Sequence, residues 1–324
     1  MRYFCSKDCY DFCEFNLDTD SSGKVVFEPI AKPWEKTGFV CSKLKGFYQR
    51  ETEQAATPFV VENGAKRNCS DAEALDYAAA LLRKHADGRI LALRGSGSLG
   101  LMMKYWETLL TQLPGMEIIE SGLCDTTGDQ AHLDDFGVLK NPPLKNLDHV
   151  NTILLFGKNA RVTSPHLYAH LIQLKKLGKK IIYIDPVRSE TASLADHYIH
   201  INPGSDGCLA NLLLDRLGKE EQNRKTELQE TCAISDADLD VLQHSIIEGK
   251  TAFICGYGMQ RYRNGKNSFQ WVNRLAVATG NINYIYMGHS STKDLVKPLK
   301  KECPELSLAQ AVKAMEQGTV DLLV

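Results

Sequence analysis

Four cysteines near the N-terminus constrain this chain more than any other feature. Cys5, Cys9 and Cys13 form a C-x3-C-x3-C run, and Cys41 follows within Gly38-Phe39-Val40-Cys41-Ser42-Lys43. Between the third and fourth lies Asp18-Thr19-Asp20-Ser21-Ser22-Gly23-Lys24-Val25-Val26-Phe27, a turn followed by a short alternating strand. A hairpin there would carry the chain out and back, returning the distant Cys41 to the first three. A tight run of cysteines plus one remote partner suits an iron–sulfur cube, in which each iron takes one thiolate. Structural zinc more often draws on two pairs of closely spaced ligands. Disulfides need an oxidising compartment, and Met1-Arg2-Tyr3-Phe4-Cys5 runs straight into the first ligand without a signal peptide or twin-arginine leader. Ordinary buried thiols are the plain alternative, and four cysteines in this arrangement disfavour it.

The remaining bounds are simple. With 324 residues, 43% hydrophobic and 24% charged, the chain reads as soluble and globular, with room for roughly two or three domains. Its formal net charge of −2 offers no electrostatic footprint for nucleic acid or an anionic membrane surface. No apolar run approaches the length of a membrane span. A cytoplasmic, reducing location is the expectation, and Cys69, Cys208, Cys232, Cys255 and Cys303 then read as scattered core or surface thiols.

The expected fold class is α/β: a small N-terminal iron–sulfur domain (residues 1–50), followed by doubly wound, mostly parallel α/β domains at 51–145 and 146–324. The first of these is partial, and Asn141-Pro142-Pro143 marks the boundary between them. The cluster domain's own core is meagre, so bound metal would supply much of its folding free energy. Residues 49–70 are polar and read as an irregular connection, and Ser70 is a helix cap for the apolar periodicity over 71–82. A buried strand over 89–94 runs into Gly95-Ser96-Gly97-Ser98-Leu99-Gly100, with a helix after it over 104–113. Strand, G-x-G-x-x-G and helix in this order let Gly95 and Gly97 bring backbone N–H groups against a phosphate. Alone the motif specifies little. Asp125 lies beyond the usual distance for a ribose-binding acid, which disfavours a plain NAD site.

The second unit is easier to read. Thr152–Phe156 is a strand ending at Gly157-Lys158-Asn159; a helix over 168–177 is stopped by Gly178. Lys180–Ile184 ends at Asp185-Pro186, His197-Tyr198-Ile199-His200-Ile201 at Asn202-Pro203-Gly204-Ser205-Asp206, and Thr251–Cys255 at Gly256-Tyr257-Gly258. Strands alternating with helices imply a parallel sheet covered on both faces, whose ligands bind beyond the C-terminal strand ends. Turn chemistry alone also places such residues there; four ends of this kind together favour a site. Residues 219–250 read as a charged, helical, solvated face without chemistry. Residues 306–316 form an amphipathic helix leading into 319–324, which has the character of a buried strand; a chain ending there reads as a piece of a longer one.

With these motifs in order, the whole chain resembles the N-terminal portion of the molybdopterin oxidoreductases, the dimethyl sulfoxide reductase superfamily. The resemblance rests on the four cysteines with Gly-Phe-Val-Cys before the last, on residues 153–159, 181–196 (with Asp185-Pro186-Val187-Arg188) and 201–206. It rests also on Gly256-Tyr257-Gly258-Met259-Gln260-Arg261, Asn273-Arg274-Leu275-Ala276 and Thr279-Gly280-Asn281-Ile282. It implies molybdenum or tungsten held by molybdopterin guanine dinucleotide beside a [4Fe–4S] cluster on Cys5, Cys9, Cys13 and Cys41. Lys43 or Lys45 would lie between cluster and pterin; the family usually has Cys-x-Lys-Gly, whereas Gly46 comes later here. Gly157, Asn159, Asp185, Gly204, Asp206, Gly256 and Gly258 would approach the nucleotide, and Arg188 could pair with phosphate. Their plain alternatives are a surface lysine and a surface ion pair.

Cys124, within Gly122-Leu123-Cys124-Asp125-Thr126-Thr127-Gly128, sits where the family places its protein ligand to the metal; a structural thiol is equally in keeping with the residue. In formate dehydrogenases a His usually follows that ligand, and Asp125 here argues against formate as substrate. His132 is a possible nearby acid–base group, or simply structural. The implied activity is two-electron chemistry on a small-molecule redox substrate, with an electron-transfer partner subunit and a continuation or separate chain supplying the family's C-terminal part. The contrasting possibility is a non-catalytic iron–sulfur subunit that keeps the fold without molybdenum, similar to the large iron–sulfur subunit of respiratory NADH dehydrogenase.

Overall fold

A computed structural model describes residues 2–5, 11, 13–32, 35, 38–46, 57–93, 108–109, 111–119, 126–219, 223–287 and 303–324. Cys9, Gly95, Gly97 and Cys124, with half of the expected helix over 104–113, lie outside the described residues.

The N-terminal unit is a three-stranded antiparallel sheet of β1 (Arg2–Phe4), β2 (Glu14–Thr19) and β3 (Val25–Pro29). The expected hairpin joins β2 to β3. Its turn closes through Gly23 N–H to Asp20 O at 2.9 Å, while Asp20 Oδ1 accepts from the N–H groups of Ser22 and Lys24. A helical turn follows Cys41 at 42–46.

The connection expected to be irregular carries a hairpin, β4 (Phe59–Glu62) with β5 (Ala65–Asn68). Two residues, Asn63 and Gly64, turn it with positive φ; the Asn-Gly pair is a hairpin sign that the polar composition obscured. Ser70 then caps the helix Asp71–Lys84, and Ser70 and Glu73 form a full capping box.

Two parallel sheets follow. The first comprises β6 (Ile90–Leu93) and β7 (Met116–Ile119). The second comprises β8 (Thr152–Phe156), β9 (Lys180–Ile184), β10 (His197–Ile199), β11 (Thr251–Cys255) and β12 (Ile285–Met287), in the order β10-β9-β8-β11-β12. Alternation along these strands divides the core in two. Leu154, Phe156, Ile182, Ile184, Phe253 and Cys255 face one side, where the helices Asp206–Arg216 and Gly265–Ala278 pack through Leu209, Leu213, Phe269 and Val272. Ile153, Leu155, Ile181, Tyr183, Ala252 and Ile254 face the other, under Leu167, Leu171 and Leu174 of the helix Pro165–Lys176. Both faces are apolar, as a doubly wound parallel sheet requires.

Three expectations are corrected. The second domain was expected to run to Val324, but β13 (Glu305–Leu306) pairs with β7 and β14 (Leu322–Leu323) with β6, giving the first sheet the order β13-β7-β6-β14. The closing stretch is therefore an edge strand with Leu323 half exposed, not a buried one. Residues 219–250 are not only a solvated face: the helices Lys225–Cys232 and Asp236–Ile247 deliver Cys232, Leu239, Leu242 and Ile246 to the core. Charged residues on their outer sides outnumber these anchors, which is why composition pointed to solvent. No described helix is long and apolar enough to cross a membrane.

Candidate functional site

In the five-stranded sheet the chain reverses direction of growth between β8 and β11, the kind of switch point where open α/β sheets bind ligands. The register places Ile199, Ile184, Phe156, Cys255 and Met287 in one row at the C-terminal edge. Asp185, Gly157 and Gly256 therefore emerge side by side. Gly157 N–H donates to Ile184 O at 2.9 Å and Gly256 N–H to Phe156 O at 2.7 Å. A Cβ on Gly256 would lie 2.0 Å from Gly157 O, so only glycine lets the two strand ends close.

Each predicted strand-end residue can now be placed. Asn159 begins the short helix Ala160–Thr163, and its Oδ1 accepts from Thr191 Oγ1 at 2.8 Å. Asp185 is fixed from three directions: Tyr183 Oη donates to its Oδ2 at 2.6 Å, Val187 N–H to its Oδ1 at 2.8 Å, and Tyr198 Oη to its carbonyl at 2.9 Å. Burial, followed by the bond to Asp185, pushes the Tyr183 hydroxyl well above the usual phenol range. Arg188 lies over the Tyr198 ring at 5.2 Å. Gly204 adopts φ +76, with its carbonyl accepting from Asn264 Nδ2 at 3.0 Å.

Asp206 is the electrostatic centre of this edge. It opens the helix Asp206–Arg216, is 4% exposed, and has its carboxyl pushed up to about 7. Burial is the larger cause; the charge of Asp185 adds to it, so the two acids act on one another. Behind them the fold unites two cysteines read from the sequence as scattered. Cys208 and Cys232 interact, the thiol of Cys232 holding the Cys208 sulfur below its usual range while burial opposes.

The described residues after Cys124 are anchored at the same edge. Gly128 N–H, near the start of the helix Thr126–Phe136, donates to Gln260 Oε1 at 3.0 Å, and Gln260 lies beyond β11. His132 proves structural. It is fully buried, accepts from Lys140 N–H at 3.0 Å through Nδ1, and packs edge-on to Phe136 and Phe269.

At the cysteine unit, Cys5 and Cys13 are buried with Phe15 and Val40, and Cys5 N–H donates to Cys13 O at 2.8 Å. Cys41 follows Val40 directly and heads the turn at 42–46. None of the three is in a disulfide among the described residues. Among the described residues no three ligand side chains converge on one point as a single ion would require. A cube takes one cysteine per iron instead of gathering ligands on a single ion, and the buried Cys5 and Cys13 with Cys41 beside Val40 are sulfur donors that fit it. Lys43 and Lys45 are both exposed; two residues apart on a helical turn, they lie on different faces.

The contact between this unit and the five-stranded sheet has no counterpart in the sequence pattern. Asp11 Oδ2 accepts from His166 N–H at 2.9 Å, capping the helix Pro165–Lys176 from 155 residues away. Ser164, at the cap position, makes no cap bond and instead accepts from Lys158 Nζ at 2.8 Å. Burial raises the Asp11 carboxyl, although the His166 N–H and the charges of Lys158 and Lys32 pull it down. The His166 ring bonds Glu35 through Nδ1, meets Cys13 Sγ at 3.1 Å through Nε2, and stacks on Phe39 with centroids 4.0 Å apart. Neither Asp11 nor His166 carried a local sign of this contact.

This arrangement agrees with the comparisons. The family model described as Molybdopterin oxidoreductase matches residues 57–320. The chain belongs to the molybdopterin oxidoreductase family. It is 27% identical over 312 residues to Probable oxidoreductase YyaE of Bacillus subtilis, covering 86% of this chain and 46% of that protein. To Formate dehydrogenase H of Escherichia coli it is 25% identical over 329 residues, covering 86% and 44%. The structure of Acetylene Hydratase from Pelobacter acetylenicus superposes with a TM-score of 0.66 at 16% identity, over 87% of this chain and 44% of that one, a likeness of fold. The chain thus spans less than half the length of these relatives.

Proposed function

We propose that this chain is the cluster-bearing, nucleotide-binding part of a molybdopterin-dependent oxidoreductase catalytic subunit. The observation that carries the reading is the β8/β11 switch point, with Asp185 at the end of β9 and the buried Asp206 near enough to feel its charge. Two carboxyl groups that act on one another, one of them desolvated, suit a ligand rich in N–H and O–H donors. A guanine base and a ribose supply both. Gly157 and Gly256 let the two strand ends close on one another, and Arg188, three residues past Asp185, would meet phosphate.

Molybdenum or tungsten held by molybdopterin guanine dinucleotide would supply two-electron redox chemistry, and a [4Fe–4S] cluster on Cys5, Cys9, Cys13 and Cys41 would pass electrons singly. The chain's own share is binding and orientation. Asp185 and Asp206 accept hydrogen bonds from the base or sugar. Gln260 ties Gly128 to the segment beyond β11, and Cys124 is the candidate protein ligand, a soft donor for the metal. Gly95 and Gly97 would approach phosphate, and Lys43 or Lys45 would lie between cluster and pterin. The substrate is a small redox molecule, the electron partner another subunit, and the rest of the relatives' length would come from further chain or a separate polypeptide. Cysteines without a disulfide among the described residues suit a reducing compartment, the cytoplasm.

Anaerobically purified protein should contain molybdenum or tungsten, about four iron atoms, and guanine nucleotide released on acid hydrolysis. Iron and sulfide without the other metal or the nucleotide would end the catalytic reading and leave electron transfer alone. A colourless, iron-free protein would end both.

A further inference from the structure

We propose that His166 is a positioning residue for the cluster: its Nε2–H donates to the sulfur of Cys13 and raises the cluster's reduction potential. The inference rests on the cluster reading above and adds to it a residue from outside the cysteine unit. The distance from Nε2 to Cys13 Sγ is 3.1 Å, within hydrogen-bonding range for sulfur, and both residues are buried. Once Cys13 is an iron ligand its sulfur is a thiolate with no proton to give, so a bond there runs from Nε2–H to sulfur, and one further proton is shared between Nδ1 and the Glu35 carboxyl.

The ring has no freedom to leave this contact. Glu35 holds Nδ1, Phe39 stacks on one face at an interplanar angle of 16°, and the backbone N–H of His166 is held by Asp11. Three of these partners (Asp11, Glu35, Phe39) belong to the cysteine unit, whereas His166 opens a helix of the nucleotide-binding sheet. One side chain therefore links a cluster ligand to the scaffold of the crevice. Adding an electron makes the cluster more negative. A donor aimed at a ligand sulfur stabilises that reduced form more than the oxidised one, which is how hydrogen bonds to sulfur raise iron–sulfur potentials.

The test is an anaerobic redox titration of the full chain, followed by electron paramagnetic resonance, on wild type, His166→Phe and His166→Gln. Phenylalanine keeps the stack on Phe39 and removes both nitrogens; the glutamine amide restores a donor near the position of Nε2. Iron content per chain should stay at the wild-type value in all three. The midpoint of His166→Phe should fall, with reduction disfavoured roughly tenfold, about 59 mV for a one-electron couple, and His166→Gln should recover most of it. Equal midpoints at equal iron content would overturn the proposal. If His166→Phe does not fold, pulsed resonance on reduced wild-type protein labelled with 15N-histidine decides. A coupled histidine nitrogen supports the bond, and its absence refutes it. Iron-free wild type is a different failure, that of the cluster reading itself.

Discussion

Asp206 shows how a single residue can bear the cost of a site. Its carboxyl titrates near 7 in the folded chain against an ordinary value of 3.8, chiefly because it is buried. The sign follows from where protons sit. Below the ordinary value both folded and unfolded chains hold the proton, and burial costs nothing. As pH rises towards 7 the unfolded chain gives up its proton first, so stability falls through that window and stays low above it. Each unit of separation is worth about 1.4 kcal/mol as an upper bound. Asp206→Asn without nucleotide should therefore melt above wild type near about pH 8, and the gap should close as pH falls towards about 4. The same variant should retain less guanine nucleotide. A melting difference independent of pH would show that Asp206 is ionised and compensated in the free protein. This residue was legible in advance, as an acid at a strand end. Asp11, Glu35 and His166 were not, because their meeting is made by tertiary contacts across more than a hundred residues and leaves no local pattern.

At the scale of elements, the strand ends decide whether a crevice exists. Gly256 and Gly258 look equivalent in Gly-Tyr-Gly, yet the structure separates them. A Cβ at 256 would press to 2.0 Å on the carbonyl oxygen of Gly157, which is backbone and cannot swing aside, while one at 258 would find that atom at 3.5 Å. Gly256→Ala should cost about 1–3 kcal/mol, the usual scale of overpacking, and spread β8 from β11. Gly258→Ala should stay within about 0.5 kcal/mol of wild type. Urea denaturation of the pair measures the difference, and equal losses would mean that the strand ends are looser than they stand. Periodicity showed most of these elements correctly: residues 152–156 and 251–255 are short apolar runs between turn residues, and Ser70 announces its helix. It could not show strand order, which depends on which runs lie side by side, and it passed over the Asn63-Gly64 hairpin inside polar text.

At the scale of the whole molecule, the chain crosses between its two parallel sheets more than once. After β7 it builds the five-stranded sheet, then returns to place β13 beside β7 and β14 beside β6, one on each outer edge of the first sheet. Asp321 fastens the second of these. Its N–H donates to Arg89 O at 2.9 Å and its Oδ2 accepts from Arg89 N–H at 2.8 Å. Division of the sequence by composition misses this return, because a two-residue edge strand is too short to carry a period and its partner lies 232 residues earlier. The tail packs its Ala311, Leu306 and Val320 against Leu91 and Ile119, while the buried residues described around the five-stranded sheet include none from 303–324. The first sheet should accordingly depend on the tail and the second should not. Removing residues 303–324 strips both outer strands and opens the row of Ile90, Leu91 and Ile119 to water. In hydrogen exchange, the amides of Ile90–Leu93 and Met116–Ile119 should then lose protection, while those of Thr152–Phe156, Lys180–Ile184 and Thr251–Cys255 keep theirs. Loss in both sheets together would mean that they fold as one cooperative unit and that the crevice depends on the tail. Protection retained in both would mean that β6 and β7 are held by contacts other than the strands beside them.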